Sequence, residues 1–238
     1  MSEIFRRVEK KYIINKEQYQ KMKEFLNEKM IEDEHGKSTI CNIYFDTDNF
    51  DLIRHSITKP MFKEKIRSRS YNTPTLDSKI FLEIKRKYNK IVSKRRIEMC
   101  LSDFYSLCNT KEFPNSQIGR ELNYYFKLYN LSPKVYISYF RRAYYDKDNM
   151  DFRITFDSNI GARTYDLELE KGNYGKLILE KDKYIMEIKT LGAIPLWLIK
   201  HLNDLKIAPC GFSKYGEAYN QLILKANQIS KYVIQGGI

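Results

Sequence analysis

The stretch Pro60-Met61-Phe62-Lys63-Glu64-Lys65-Ile66-Arg67-Ser68-Arg69-Ser70-Tyr71 carries a cation at every second position from residue 63 to residue 69. Side chains alternate faces along an extended strand, so Lys63, Lys65, Arg67 and Arg69 share one face while Phe62 and Ile66 take the other. The same split recurs along the chain. Glu83, Lys85 and Lys87 oppose Ile80, Leu82 and Ile84, and Arg153 and Asp157 oppose Phe152, Ile154 and Phe156. Glu187 and Lys189 oppose Tyr184, Met186 and Ile188. Arg7, Glu9 and Lys11 stand against Val8, Tyr12 and Ile14, with Lys10 breaking the rule; Lys94, Arg96 and Glu98 share a face that Arg95 blurs.

For one strand alone, the ordinary reading is an antiparallel sheet with one wet face. A solvated face, however, mixes Thr, Ser, Gln and both signs of charge. The charged positions here are rich in cations, which repel one another unless an anion neutralises them. If these faces point inward, the strands must close, because closure gives a shared polar interior without exposed edges. The expected fold is therefore α+β: a closed eight-stranded antiparallel β-barrel tunnel with helices packed on its outside. The amphipathic segments at about 16–30, 101–130, 195–205 and 213–226 would cover the outward apolar faces.

Punctuation along the chain fits this meander. Asn15 and Gln18 make a capping box for the first helix. Strands are expected at Ile4 to Ile14, Thr39 to Asp46, Pro60 to Tyr71, Lys79 to Lys87 and Ile91 to Met99, with a short helix near Phe50 to His55. The middle, Leu101 to Asn130, reads as helical, opened by Ser102 or Asp103 and again by Ser116, and ended by Pro133. Strands return at Lys134 to Tyr145, Asp151 to Asp157, Lys176 to Glu180 and Lys183 to Lys189. Pro195 suits the first turn of a helix through Leu205, and a last helix runs from Ser213 to Ala226.

The chain has 238 residues, 42% hydrophobic and 14% aromatic, without a low-complexity tract, which fits one domain spanning 1–238. Lysine and arginine number 42 against 30 acidic residues, a formal charge of +12, so the expected partner is a polyanion. Four cysteines without a CxxC pair and three ungrouped histidines argue against structural zinc. The polar start lacks a signal-peptide core and no run reaches the ~18 apolar residues of a membrane span, so a reducing cytoplasmic location is expected.

Glu-x-Lys recurs as Glu9/Lys11, Glu83/Lys85 and Glu187/Lys189. Such a carboxylate either pairs with the cations around it or holds Mg²⁺ or Mn²⁺, hard ions that join carboxylates to phosphate oxygens.

Taken in order, Glu9-Lys10-Lys11-Tyr12, Ile66-Arg67-Ser68-Arg69, Leu82-Glu83-Ile84-Lys85, Ser93-Lys94-Arg95-Arg96, Tyr139-Phe140-Arg141-Arg142-Ala143-Tyr144, Phe152-Arg153-Ile154, Met186-Glu187-Ile188-Lys189-Thr190 and Phe212-Ser213-Lys214-Tyr215 make the chain resemble the VTC domain. This is the polyphosphate-polymerase branch of the triphosphate tunnel metalloenzymes, a CYTH-like superfamily. The resemblance implies phosphate-binding cations at Lys11, Arg67, Arg69, Lys85, Lys94, Arg141, Arg153, Lys189 and Lys214, with hydroxyls at Tyr139 and Ser213. It implies a divalent ion, Mn²⁺ or Mg²⁺, on Glu187. Hydrolytic relatives carry Glu-x-Glu-x-Lys in the first strand, where this chain has Arg7 in place of the first glutamate, as the polymerase branch does.

The activity that the resemblance implies is transfer of the γ-phosphoryl group of ATP to a growing inorganic polyphosphate chain, with ATP, pyrophosphate and polyphosphate as the ligands. Arg67, Arg69, Arg141, Arg153 and Lys85 would serve catalysis, and Glu9 and Glu83 would orient neighbouring cations. The alternatives are a metal-dependent triphosphatase of the same fold and a non-catalytic polyphosphate- or RNA-binding domain. Most of the 19 tyrosines fit packing, which disfavours nucleic acid. Export of the product would need a separate membrane protein, which the sequence does not name.

Overall fold

The computed structural model describes residues 8–33, 37–89 and 91–226. The expectations on Arg7 and on the start of the first strand lie outside the described residues. In chain order the elements are β1 (Val8–Asn15), α1 (Lys16–Lys29), β2 (Ile31–Glu32), β3 (Ser38–Asp46), α2 (Asp51–Ile57), β4 (Phe62–Tyr71), β5 (Lys79–Tyr88) and β6 (Ile91–Cys100). They continue with α3 (Leu101–Thr110), α4 (Gln117–Tyr129), β7 (Ser132–Tyr145), β8 (Arg153–Arg163), a 3₁₀ turn (Leu169–Lys171), β9 (Lys176–Leu177), β10 (Lys183–Thr190), α5 (Leu196–Asp204) and α6 (Lys214–Ala218). A π-helical segment, Tyr219–Leu224, follows α6.

These elements form two compact units. The first comprises Met1–Ile40, Tyr139–Ile160 and Leu179–Phe212. Its strands lie in the order β1-β10-β8-β7, with β2 pairing β7. The antiparallel register sets Lys11 opposite Glu187, Glu187 opposite Thr155, and Lys189 between Glu9 and Arg153. Tyr12, Ile14, Phe152, Ile154, Phe156, Met186 and Ile188 pack with Met22 and Leu26 of α1 and Leu198 and Leu202 of α5. Side chains as fully enclosed as Ile14, Met22 and Leu26 each contribute about 1.5–3 kcal/mol. Asn15 and Gln18 form the expected capping box, with Asn15 Oδ1 accepting from the Gln18 amide at 2.8 Å and Gln18 Oε1 from the Asn15 amide at 3.0 Å.

The second unit comprises Cys41–Ser138, Gly161–Ile178 and Ser213–Ile238. Its strands lie in the order β7-β3-β4-β5-β6, with β9 pairing the end of β8. Cys41, Ile43, Phe45, Ile66, Ile80, Leu82 and Ile84 pack against Leu101 and Phe104 of α3 and Leu122, Tyr125 and Phe126 of α4. In each unit, then, one sheet face is apolar and covered by helices, as the alternation predicts.

The expected closure into a barrel is corrected. Among the described residues β6 pairs with β5 alone, and beyond β10 the only strand-like contact of β1 is the isolated bridge Lys11–Cys210, so both strands are edges of an open sheet. Alternation fixes which side of a strand is polar, but closure also requires a matched tilt and stagger, which alternation does not encode. Arg96 and Glu98, exposed on β6, are the kind of charges that blunt an unpaired edge.

Several boundaries differ from the sequence reading, each for a local reason. Helix α3 starts at Leu101, before Ser102 or Asp103, because the Leu101 and Ser102 amides donate to the Ser78 and Leu76 carbonyls at 3.0 and 2.9 Å. Helix α4 opens on Ser116 as expected but ends on Asn130 in the left-handed region (φ 45°), which leaves Pro133 inside β7. Strand β8 runs on to Arg163, β9 stops at Leu177, and Pro195 is the residue before α5 rather than in its first turn. The expected 213–226 helix loosens after Ala218 into the π-helical segment, where Tyr219 packs against Phe50.

Candidate functional site

In the second unit the polar face of β3-β4-β5-β6 is organised around Glu83, which is 1% exposed. One carboxylate oxygen accepts from Arg67 Nε and pairs with its terminal nitrogen, both at 2.8 Å. The other lies 2.6 Å from Lys94 Nζ. Arg67 also donates to the Tyr44 hydroxyl at 3.0 Å, and Arg69, itself buried, donates to Asn42 Oδ1 at 2.9 Å. Burial by itself would raise the Glu83 pKa, but the charges of Arg67, Arg69 and Lys94 outweigh it and hold the carboxyl down to about 2. For Lys94, burial outweighs the attraction of Glu83 and pushes the ammonium down to about 8.

Lys85 stands opposite both Lys65 and Lys94 in the ladder. Lys65 Nζ donates to Ser213 Oγ at 2.7 Å, and the same oxygen accepts from the Gly216 amide at 3.1 Å, capping α6. Ser213 is thus a helix cap as well as a candidate phosphate contact, and Lys214 is the first residue of that helix. Nearby, Tyr215 stacks on Tyr44 and donates to the buried Asp46 at 2.8 Å. Asp46 also accepts from the Leu52 and Ile53 amides, which caps α2 in place of the left-handed Phe50.

In the first unit the polar face gathers Glu9 and Lys11 on β1, Glu187 and Lys189 on β10, Thr155 and Asp157 on β8, and Tyr139 and Arg141 on β7. Arg141 grips the fully buried Asp157 with two bonds, of 2.6 and 2.8 Å, and lies over the Tyr139 ring. Burial opposes the Arg141 charge, but Asp157 overcomes it and the guanidinium pKa rises. Lys11 Nζ donates to the Phe212 carbonyl at 3.0 Å, and Lys189 Nζ lies 3.6 Å from Glu187. Arg153 is on the same face, next to Lys189 in the register, but its side chain is 47% exposed and pairs with Asp33 at 3.7 Å.

Glu187, 7% exposed, is a carboxylate that could supply one ligand to a divalent ion. The Thr155 hydroxyl directly opposite it in the register is buried without a hydrogen-bond partner. Among the described residues no three acidic, histidine or cysteine side chains converge as a protein-built metal cage. Mg²⁺-type ions commonly need only one or two carboxylates, because water and substrate phosphates complete their shell.

The structure thus brings the predicted residues together in two sets: Arg67, Arg69, Glu83, Lys85, Lys94, Ser213 and Lys214 in one unit, and Glu9, Lys11, Tyr139, Arg141, Arg153, Glu187 and Lys189 in the other. Sequence reasoning missed Asn42 and Tyr44, which orient the two arginines of β4. It also left Asp157 without a role, although the residue was placed on the polar face.

The arrangement defines a class: α+β units with antiparallel sheets whose polar faces carry arginines and lysines braced by buried carboxylates. Residues 6–223 match the family model of the VTC domain. The chain belongs to the VTC domain family. A candidate adenylate cyclase from Bacillus halodurans shares the fold, with a TM-score of 0.54 at 13% identity over 87% of this chain and 92% of that one. Looser likenesses are a candidate adenylate cyclase from Vibrio parahaemolyticus (TM-score 0.49, 10% identity, 89% and 96% coverage) and a Mimivirus capping enzyme triphosphatase (TM-score 0.35, 11% identity, 83% and 87% coverage). No curated protein matches the chain.

Proposed function

We propose that this protein is a polyphosphate polymerase that transfers the γ-phosphoryl group of ATP to the end of a growing inorganic polyphosphate chain. The observation that carries this reading is the Arg67–Glu83–Lys94 cluster, in which a buried carboxylate holds two cations in place beside Lys85 and Arg69. Phosphoryl transfer consists mainly of positioning and charge neutralisation, so preorganised cations supply what the reaction needs. The acceptor is already an anion, which makes a general base dispensable.

In this reading Arg67, Arg69, Lys85, Arg141 and Arg153 stabilise the reacting phosphoryl, arginine suiting it through its planar fork. Lys11, Lys94, Tyr139, Lys189, Ser213 and Lys214 bind the remaining phosphates. Glu187 holds the Mn²⁺ or Mg²⁺ that neutralises phosphate oxygens, and Glu9 and Glu83 orient cations. The whole chain acts as one catalytic domain. Among the described residues no helix is long and apolar enough to cross a membrane. The four cysteines are free thiols, which supports a cytoplasmic setting.

The test is incubation of the purified protein with ATP and Mn²⁺, followed by gel analysis of the products. A ladder of phosphate chains supports the polymerase. Free phosphate without chains shows a triphosphatase instead, and binding without turnover shows a non-catalytic polyphosphate- or RNA-binding domain.

A further inference from the structure

On the β4–β5 ladder, the two polar-face rungs that precede the Arg67–Glu83 rung carry lysine on both strands. Lys65 stands opposite Lys85, and one rung further Lys63 stands opposite Lys87. Lys59 lies just before β4, exposed and in the left-handed region at φ 55°. Burial first, then the charges of Lys87 and Lys59, push the Lys63 ammonium below its ordinary pKa. Like charges directly opposite one another on neighbouring strands destabilise a sheet. The one carboxylate that β4 and β5 place on this face, Glu83, is already engaged by Arg67 and Lys94.

Lys63 is four residues from Arg67, roughly 13 Å along the strand, a separation longer than the three phosphates of one nucleotide can span. Lysine presents a point charge on a flexible stem, which neutralises phosphates without demanding one geometry, whereas Arg67 and Arg69 are fixed by their own partners. Phe62 and Tyr88, the aromatic pair at the end of this ladder, lie on the reverse face. This pair therefore offers no stacking platform to the lysines on these two rungs. An unbroken run of phosphates fits such a face better than RNA does.

We propose that Lys59, Lys63 and Lys87 form a subsite for the phosphate groups of a polymer beyond the first three, so that affinity for inorganic polyphosphate grows with chain length. This rests on the polymerase reading and names the part of the substrate that the Arg67 cluster does not reach.

The test compares tripolyphosphate, long-chain inorganic polyphosphate and single-stranded RNA by titration calorimetry, using the full chain and a variant carrying Lys63→Gln and Lys87→Gln. The expected variant binds tripolyphosphate as the parent does but long-chain polyphosphate about tenfold more weakly, with a less steep dependence on salt. Its melting temperature stays equal or rises, because repulsion has been removed. Equal polyphosphate affinity in the two proteins overturns the subsite, and so does a parallel loss of tripolyphosphate binding. RNA binding as tight as polyphosphate binding, with the same sensitivity to the variant, overturns the polymer assignment. A parent protein that binds neither phosphate ligand fails at the polymerase reading itself, a result visible before any variant is made.

Discussion

Glu83 Oε1 lies 2.6 Å from Lys94 Nζ while its Oε2 lies 2.8 Å from the terminal guanidinium nitrogen of Arg67, so one buried carboxylate on β5 sets the positions of two cations, one on each flanking strand. Glu83→Gln keeps the shape but removes the charge that compensates both. The expected loss is about 2 kcal/mol of stability, below the usual range for a broken buried pair because Lys94 reaches solvent. Polymer formation should fall at least tenfold. Urea denaturation alongside the ATP assay checks both; unchanged values in the variant would remove Glu83 from its bracing role.

The same pair predicts a dependence on pH. Glu83 is depressed to about 2, so its contribution is present above the ordinary carboxylate range and is lost as pH falls from about 4.5 towards 2. Lys94 is depressed to about 8, so between that pH and about 10.5 the unfolded chain binds more protons and stability rises with pH. Phosphate binding runs the other way, because it needs the charged ammonium: affinity for tripolyphosphate should weaken as pH rises through about 8. Lys94→Arg should flatten that decline, and titrations from pH 7 to 9.5 would show whether it does.

Arg141 and Asp157 form a second buried pair, and its role in folding can be separated from any role in binding. Asp157→Asn leaves a buried guanidinium uncompensated and should cost about 3 kcal/mol. Replacing both, with Arg141→Met and Asp157→Leu, should cost less than the single change while still abolishing polymer synthesis. Thermal melts and product gels on both variants give the comparison; a double variant that still makes polymer would exclude Arg141 from the chemistry.

For Glu187 the expectation concerns the ion. Glu187→Gln should leave the melting temperature within a few degrees of the parent and raise the Mn²⁺ concentration needed for half-maximal activity about tenfold or more, since a neutral amide is a far weaker ligand for a hard cation. An unchanged Mn²⁺ titration would show that the carboxylate serves the neighbouring cations, Lys189 among them, rather than a metal ion.

How far the sequence revealed all this follows from what period-two alternation can and cannot encode. Strands β4, β5 and β10 were legible because most of their charges fall on one face and Ile, Leu or Met on the other; Glu64 of β4 and Arg86 of β5 are the exceptions, paired on the helix-covered face. Strand β3 hid Asn42 and Tyr44 in a run without charge alternation, so the residues that aim Arg69 and Arg67 emerged only once β3 was set beside β4. Arg95 blurs the alternation of its strand because its partner, Glu121, sits on α4, where Arg86 of β5 also reaches it at 3.2 Å. Arg142 likewise turns to Glu32 of β2 rather than to the polar face. Closure failed for a different reason, being a property of the whole sheet rather than of any strand.

Ser213 remains the site residue whose two roles most need separating, since its oxygen caps α6 and receives Lys65. Ser213→Ala removes both interactions and should cost about 1 kcal/mol as a lost cap. Ser213→Asn supplies another good capping oxygen and should restore most of that stability, but its amide neither matches the hydroxyl in size nor can donate where a phosphate oxygen would meet Oγ. If the hydroxyl touches substrate, the Asn variant melts like the parent yet needs several times more ATP for half-maximal synthesis. If it acts as a cap alone, stability and ATP requirement recover together, and Ser213 leaves the list of phosphate ligands.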